Sequence, residues 1–302
     1  MFELWIPITI AAGFFQNLRS AIQKQLKDNL TTLGAAYSRF IYALPVAGIY
    51  LVAVLNTGEH PIPQPNPEFL WFCLAGGITQ ILFTVTLLWL FSFKSFAVGT
   101  TFSKLEVIMV AIMAAVIMGE TISGWAVFSI VISSLGVLAL SMGQNSLTIG
   151  NLVGGLFQKS TLIGLVSAMF LGASSALYRG ATQALDYDPF FVNAAYTLVV
   201  ALSIQTVIMG AYLLIRERNS LLGVLVHWRW ASLAGIAGAL ASICWFTAFT
   251  LQKAAYVRAL GQSELVFTFI ATLLFFREKV SPMDYLGVSL VTGGILVLLI
   301  LG

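Results

Sequence analysis

Charge is what this sequence has least of. Only 9% of its 302 residues are Asp, Glu, Lys or Arg, while 59% are hydrophobic; a soluble domain carries roughly 25% charged residues. A chain of that composition does not stay dissolved in water. Cysteine is equally scarce. Cys73 and Cys244 are the only two, each inside an apolar stretch with no CxxC nearby, which excludes a disulfide framework and reads as small buried hydrophobes. The two histidines, His60 and His227, both fall between apolar stretches, so no zinc-binding helix pair exists. No Walker phosphate loop and no Rossmann fingerprint occurs, so no cofactor is expected. The net charge of +3 comes without a basic run, leaving nucleic-acid binding unsupported. The start of the chain lacks a basic n-region, opening on Glu3 instead, and no small-residue cleavage site follows; the first segment is therefore expected to remain as a helix.

What the sequence has instead is long apolar runs. Ten of them, near residues 4–26, 33–55, 69–91, 97–118, 124–142, 162–185, 189–215, 230–251, 256–276 and 282–301, match the roughly 20 residues a helix needs to cross a bilayer. Their continuous apolarity excludes a membrane barrel, whose strands alternate apolar and polar residues. The expected class is an all-α membrane protein with ten transmembrane helices, integral and multi-pass. Lys and Arg flanking short loops tend to stay in the cytoplasm. Lys24, Lys27, Lys94, Lys159, Arg216, Arg218, Arg229, Arg277 and Lys279 follow odd-numbered runs, whereas Arg179, Lys253 and Arg258 follow even-numbered ones. That places the odd loops inside and both termini outside, with the proline-rich loop 56–68.

The chain also repeats itself. An offset of 158 residues lays Glu106 on Glu264, Glu120 on Glu278, Ser123 on Ser281, and Gly136 on Gly294. One residue more lays Ala36-Tyr37-Ser38 on Ala195-Tyr196-Thr197, and Lys94 and Val98 on Lys253 and Val257. An offset of 155 lays Ser20-Ala21 on Ser175-Ala176 and Lys24 on Arg179. The expected organisation is a first copy over residues 1–150 and a second over 151–302. Five helices per copy is an odd number, so the second copy enters the membrane in the opposite direction. Two inverted five-helix repeats are a usual construction of secondary transporters, because equivalent halves of opposite orientation can expose one site to either side in turn.

Several of these residues carry a resemblance. The polar end of the first helix with Lys24, the Ser38-Arg39 pair opening the second, the Gly119-Glu120 step followed by Gly136, and Arg277-Glu278 with Gly294 resemble the EamA-type ten-helix members of the drug/metabolite transporter superfamily, over essentially the whole chain. Arg277 stands where the pattern would have a glycine before the acid. The resemblance implies a central polar cavity lined by helices of both halves and a substrate among amino acids, purine-related metabolites, nucleotide sugars, phosphorylated sugars and lipophilic cations. It also fits the inner membrane of a bacterium.

Charged side chains within membrane spans are expensive and tend to face protein or water. Glu106 and Glu264, near the middle of the fourth and ninth runs, read as a repeat-related pair for binding a cation or amine or carrying a coupling proton; structural salt bridges are the other reading. Arg19, Arg39 and Lys104 could hold a carboxylate or phosphate, or snorkel toward the rim, or in the case of Arg39 and Lys104 pair with Glu106. Gln16, Arg19 and Gln23 share one face of the first helix, open to cavity lining or to helix packing. Tyr37, Tyr196 and Gln262 are further candidates, beside Tyr42, Gln80, Thr84, Asn193, Ser242 and Trp245. Glu120 and Glu278, just before Ser123 and Ser281-Pro282, read as loop anchors at helix starts. Gly76-Gly77, Gly136, Gly172, Gly235 with Gly238, and Gly293-Gly294 read as close-packing positions.

Two function classes remain. One is a secondary carrier that exports or exchanges a small polar metabolite such as an amino acid, with a coupling proton or counter-substrate; amines or lipophilic cations are the nearest alternative substrates. The other is a non-transporting membrane protein, either a lipid-modifying enzyme or a sensor and assembly factor. No nucleophile with a base and no His and Asp cluster supports an enzyme.

Overall fold

The structure is a computed structural model and describes residues 3–26, 30–90, 93, 101–145, 149–154, 157–271 and 281–302. The expectations resting on Lys27, Lys94, Val98, Arg277, Glu278 and Lys279, on the Lys24 side chain, and on the start of the fourth run and the end of the ninth lie outside the described residues. Among the described residues every regular element is helical. In order they are α1 (Trp5–Leu26), α2 (Thr32–Ile41), α3 (Ala43–Thr57), α4 (Pro67–Leu90), α5 (Glu106–Met118), α6 (Gly124–Asn145), α7 (Ile149–Gly154), α8 (Lys159–Ala184), α9 (Phe190–Arg216), α10 (Arg218–Val226), α11 (Trp228–Leu251), α12 (Ala254–Gly261), α13 (Ser263–Ala271) and α14 (Pro282–Leu301).

Among the described residues, eight stretches are long and apolar enough to cross a membrane: Thr32–Thr57, which joins α2 and α3 through Tyr42, then Pro67–Leu90, Thr101–Met118, Gly124–Gly143, Lys159–Ala184, Phe190–Arg216, Trp228–Leu251 and Pro282–Leu301. The first and ninth expected spans are not among them, and the end of the ninth lies outside the described residues. Helix α1 is long enough, with 22 residues, but carries the polar stripe. The ninth run is broken at Gln262 into α12 and α13. Large apolar side chains such as Ile49, Trp71, Val116 and Ile300 are exposed, as a surface solvated by lipid requires.

Helix ends follow from local chemistry. The Thr31 hydroxyl accepts from Gly34 N–H at 3.1 Å, so α2 starts earlier than the Ser38-Arg39 pair, which lies in its last turn. Asn66 Oδ1 accepts from Phe69 N–H at 2.7 Å to start α4, and Ser123 Oγ accepts from Ala126 N–H at 3.0 Å to start α6. Ser281 opens α14 in a reciprocal box with Asp284, and Pro282 fills the first turn, where a missing N–H costs nothing. At the other end of α5, Gly119 takes a left-handed φ of 64°, and its N–H and that of Glu120 return to Ala115 O and Ala114 O. A glycine is needed there because a Cβ disfavours that conformation. Hydroxyls within the spans, among them Thr9, Thr79, Thr86, Ser203, Thr247 and Thr250, donate to the carbonyl one turn back, which satisfies them without water.

The chain forms two compact units, each drawn from both halves of the sequence. The first comprises Met1–Ile81 with Ser174–Lys253. In it α1 runs along α11, α9 packs against α2, α3 and α11, and Gly76 of α4 lies against the Tyr178 ring of α8, where a Cβ would come within 2.9 Å. Buried Phe69 and Cys73 of α4 pack with Ala181 and Leu185 in the core beneath. The second unit comprises Leu82–Ala173 with Ala254–Gly302. There α6 lies along α14 and α5 against α12, around buried Val107, Ala126, Ile130, Ala255, Ala259 and Leu298.

Candidate functional site

In the second unit the backbone breaks at two repeat-related places. Lys104 N–H and Leu105 N–H bond back only three residues, to Thr101 O and Phe102 O, both at 3.2 Å. Helix α5 then resumes at Glu106. At the equivalent place Gln262 N–H bonds to Ala259 O at 3.3 Å and Leu265 N–H to Gln262 O at 3.0 Å, and α13 resumes at Ser263. Gly261 and Ser263, both weak helix formers, flank this break, and Ser103 precedes the other. The expectation that Glu106 and Glu264 sit mid-helix is thereby corrected: each lies in the first turn of a resumed segment, where the exposed N–H groups favour negative charge.

These breaks gather four charged side chains. Arg258 Nη1 of α12 lies 4.0 Å from Glu106 Oε1; Arg258 is 6% exposed and Glu106 27%. The charges of Glu106 and Glu264 both act on Lys104 and on Arg258. Lys104, Glu106 and Glu264 are half-buried, and Gln262, at the second break, is buried. Two carboxylates and two cations form one balanced cluster. Such a set can exchange internal ion pairs for the carboxylate and ammonium of a ligand without stranding a charge. Among the described residues no group of three or more His, Cys, Asp or Glu side chains converges to hold a metal.

The other six candidates belong to the first unit. Gln16 Oε1 accepts from Trp245 Nε1 at 3.0 Å, and Gln23 Nε2 donates to Ala35 O at 3.0 Å. The two ends of the polar stripe are thus used in holding α1 to α11 and α2. Arg19 is buried and its stem lies over Gly238, where a Cβ would meet Cδ at 3.2 Å. Arg39 is buried too, with its guanidinium carbon 5.1 Å from the Phe40 ring centre. The Tyr37 hydroxyl abuts Gly210, and the Tyr196 ring packs 5.8 Å from that of Phe69.

Three functional or structural residues escaped the sequence reading. Arg258 and Arg179 were expected as loop charges, yet both are buried within helices. Arg258 faces Glu106, and Arg179 donates through Nη1 to Phe249 O and, at 2.6 Å, to Gln252 O, closing the C-terminus of α11. Tyr178, fully buried, accepts at its hydroxyl from Gln205 Nε2 at 2.8 Å. The usable signal was helical spacing: Arg258 precedes Gln262 by one turn, which puts both on one face.

Comparison with known proteins agrees with this architecture. The profile of the EamA-like transporter family matches residues 3–142 and again residues 158–300. One crystal structure, 14% identical, superposes with a TM-score of 0.69 over 98% of this chain and 96% of its own, a likeness of fold alone. No curated protein matches the chain.

Proposed function

We propose, from the premise that the chain belongs to the EamA-like transporter family within the drug/metabolite transporter superfamily, that it is a secondary carrier exporting or exchanging a small polar metabolite such as an amino acid. The membrane transporter class follows from the family. The substrate class, direction and alternating access are the proposal.

One observation carries it: two repeat-related helix breaks place Glu106 and Glu264 in a single cluster with Lys104 and Arg258. Irregular backbone at membrane depth is tolerated where it is buried in protein or lines a cavity, and carriers commonly use it for binding. Helix α5 runs 13 residues from Glu106 to Met118, about 20 Å at ~1.5 Å per residue, which sets Glu106 well inside a hydrocarbon core of roughly 30 Å. The balance of charge favours a zwitterion over a lipophilic cation, which would need uncompensated acids.

The packing pattern supports alternating access by two inverted five-helix repeats, with ten spans and boundaries near 150. Exchanging the halves turns the pairing of α1 with α11 into that of α8 with α4, and returns α6 with α14 and α2–α3 with α9. The bias of Lys and Arg toward loops after odd-numbered runs supports termini on the outside.

Uptake and counterflow of labelled amino acids, amines and nucleotide sugars in proteoliposomes test the proposal, with Glu106→Gln and Glu264→Gln beside the intact protein. Saturable amino-acid flux lost in either variant is expected. Saturable flux of another class alone, or amino-acid flux indifferent to both substitutions, would overturn the site or the substrate class.

A further inference from the structure

Gln262 sits between α12 and α13 with only 6% of its surface exposed. Its backbone is fully used, the N–H by Ala259 O and the carbonyl by Leu265 N–H. Its side-chain oxygen Oε1 is buried and has no hydrogen-bond partner among the described residues. A buried carboxamide acceptor left unmade costs about 1–3 kcal/mol, and lipid offers nothing to relieve it. The acceptor is therefore positioned for something that brings its own donor.

Its surroundings narrow the donor. Glu264 follows two residues later in the first turn of α13, and its charge bears on Arg258 and Lys104. A carboxylate has no proton to give Oε1, and a phosphate, even where it keeps a P–OH, brings further negative charge beside Glu264. A hydroxyl can donate but brings no positive charge, and once a substrate carboxylate draws Lys104 toward itself only a cationic donor keeps the charges around Glu106 and Glu264 in balance. An ammonium supplies both, since it has three N–H donors and a positive charge.

The repeat makes the contrast sharper. The offset that lays Glu106 on Glu264 lays Lys104 on Gln262. Both stand at a break, and both bond backward over three residues. One break thus presents a cationic donor and the other a neutral acceptor, so the two are chemically opposite.

We infer that Gln262 determines specificity by accepting a hydrogen bond from the substrate's amino group, while Lys104 at the equivalent break takes the carboxylate. This rests on the carrier reading above and goes further by assigning each end of the zwitterion to one repeat. The asymmetry also sets the orientation of the bound molecule along the pair of breaks.

The test uses the full chain in proteoliposomes and matched probes that differ only by NH3+ against OH: L-alanine with L-lactate, and L-phenylalanine with L-phenyllactate. The wild type is expected to prefer each amino acid by roughly tenfold or more, expressed in KM. Gln262→Leu, similar in size and without an acceptor, is expected to bring that ratio close to one. Gln262→Glu, which keeps an acceptor, is expected to retain it. Should Gln262→Leu lose its monodisperse elution profile, Gln262→Asn replaces it; the shorter side chain withdraws the acceptor, and an intermediate ratio is expected. An unchanged ratio in Gln262→Leu or Gln262→Asn overturns the inference and leaves the carrier reading intact, and would assign the acceptor to a resident water. Equal use of amino and hydroxy acids by the wild type overturns it as well. Absence of saturable flux with either amino acid in the wild type removes the amino-acid reading itself, and this inference with it.

Discussion

Arg258 of α12 reaches across to Glu106 in the first turn of α5, with Nη1 and Oε1 4.0 Å apart. At that separation the pair is an electrostatic contact without a tight hydrogen bond, which leaves each partner able to change company. Glu264, acting on the same arginine, is the alternative company within the unit.

Removing one charge from this pair unbalances the cluster around the other, which is worse than removing both. Arg258→Gln and Glu106→Gln are each expected to lower thermal stability in detergent, and the double variant less than their sum. A coupling of ~1–3 kcal/mol is the expected scale for residues in contact. Strict additivity in the cycle would show the two charges to be energetically independent.

The Tyr178–Gln205 hydrogen bond offers a cleaner contrast. Tyr178→Phe keeps the ring against Phe246, 4.7 Å away, but leaves the Gln205 amide buried without its acceptor, at a cost of about 1–3 kcal/mol. Tyr178→Phe combined with Gln205→Leu removes both partners and is expected to recover most of the loss. Melting temperatures of the three variants decide this, and a double variant no better than the single one would sink the argument.

The pairing of α6 with α14 depends on glycines at particular positions. A Cβ on Gly136 would come within 2.7 Å of Gly287 O and Val291 N, and one on Gly294 within 2.9 Å of Ser129 O. Nothing lies within 4 Å of a Cβ on Gly293. Gly294→Ala and Gly136→Ala are expected to destabilise by ~1–3 kcal/mol through overpacking, and to break the Ser129 Oγ bond to Gly294 O, now 2.7 Å. Gly293→Ala is expected to be neutral or slightly stabilising because it adds helix propensity. Thermal unfolding of the three side by side distinguishes contact from composition.

That last contrast shows where reading the sequence ends. Apolar runs and the repeat are written at the level of residue type, so eight spans, the family and the equivalence of Glu106 with Glu264 could be read before any coordinate. Gly293 and Gly294 are the same residue type on the same helix, and only packing separates them. The breaks at Lys104 and Gln262 are hidden for a related reason: neither contains proline, and the polar residues around each, Ser103-Lys104 and Gln262-Ser263-Glu264, suit the buried face of an unbroken helix equally well. Arg258 and Arg179 misled because a cation near a run's end looks like a loop charge, whereas the fold turns both inward. Gln16, Arg19 and Gln23 recur at helical spacing along α1, and Gln16 and Gln23 spend their amides on neighbouring helices.

Arg179 supplies the last test. Its guanidinium donates to two carbonyls, Phe249 O and Gln252 O, at the end of α11, where carbonyls lack intrahelical partners and positive charge is favoured. A planar guanidinium with several N–H groups can serve both carbonyls from one rigid head, while a lysine ammonium is a compact point charge on a flexible stem. Arg179→Lys is therefore expected to retain part of the stability and Arg179→Met to lose about 1–3 kcal/mol, the cost of stranding buried carbonyl groups. Gln252 directly precedes the short link into α12, the helix that carries Arg258, so hydrogen exchange should rise around residues 249–254 in Arg179→Met and stay near wild type around 136–140. Exchange unchanged at 249–254 would mean that the α11 terminus holds without its arginine.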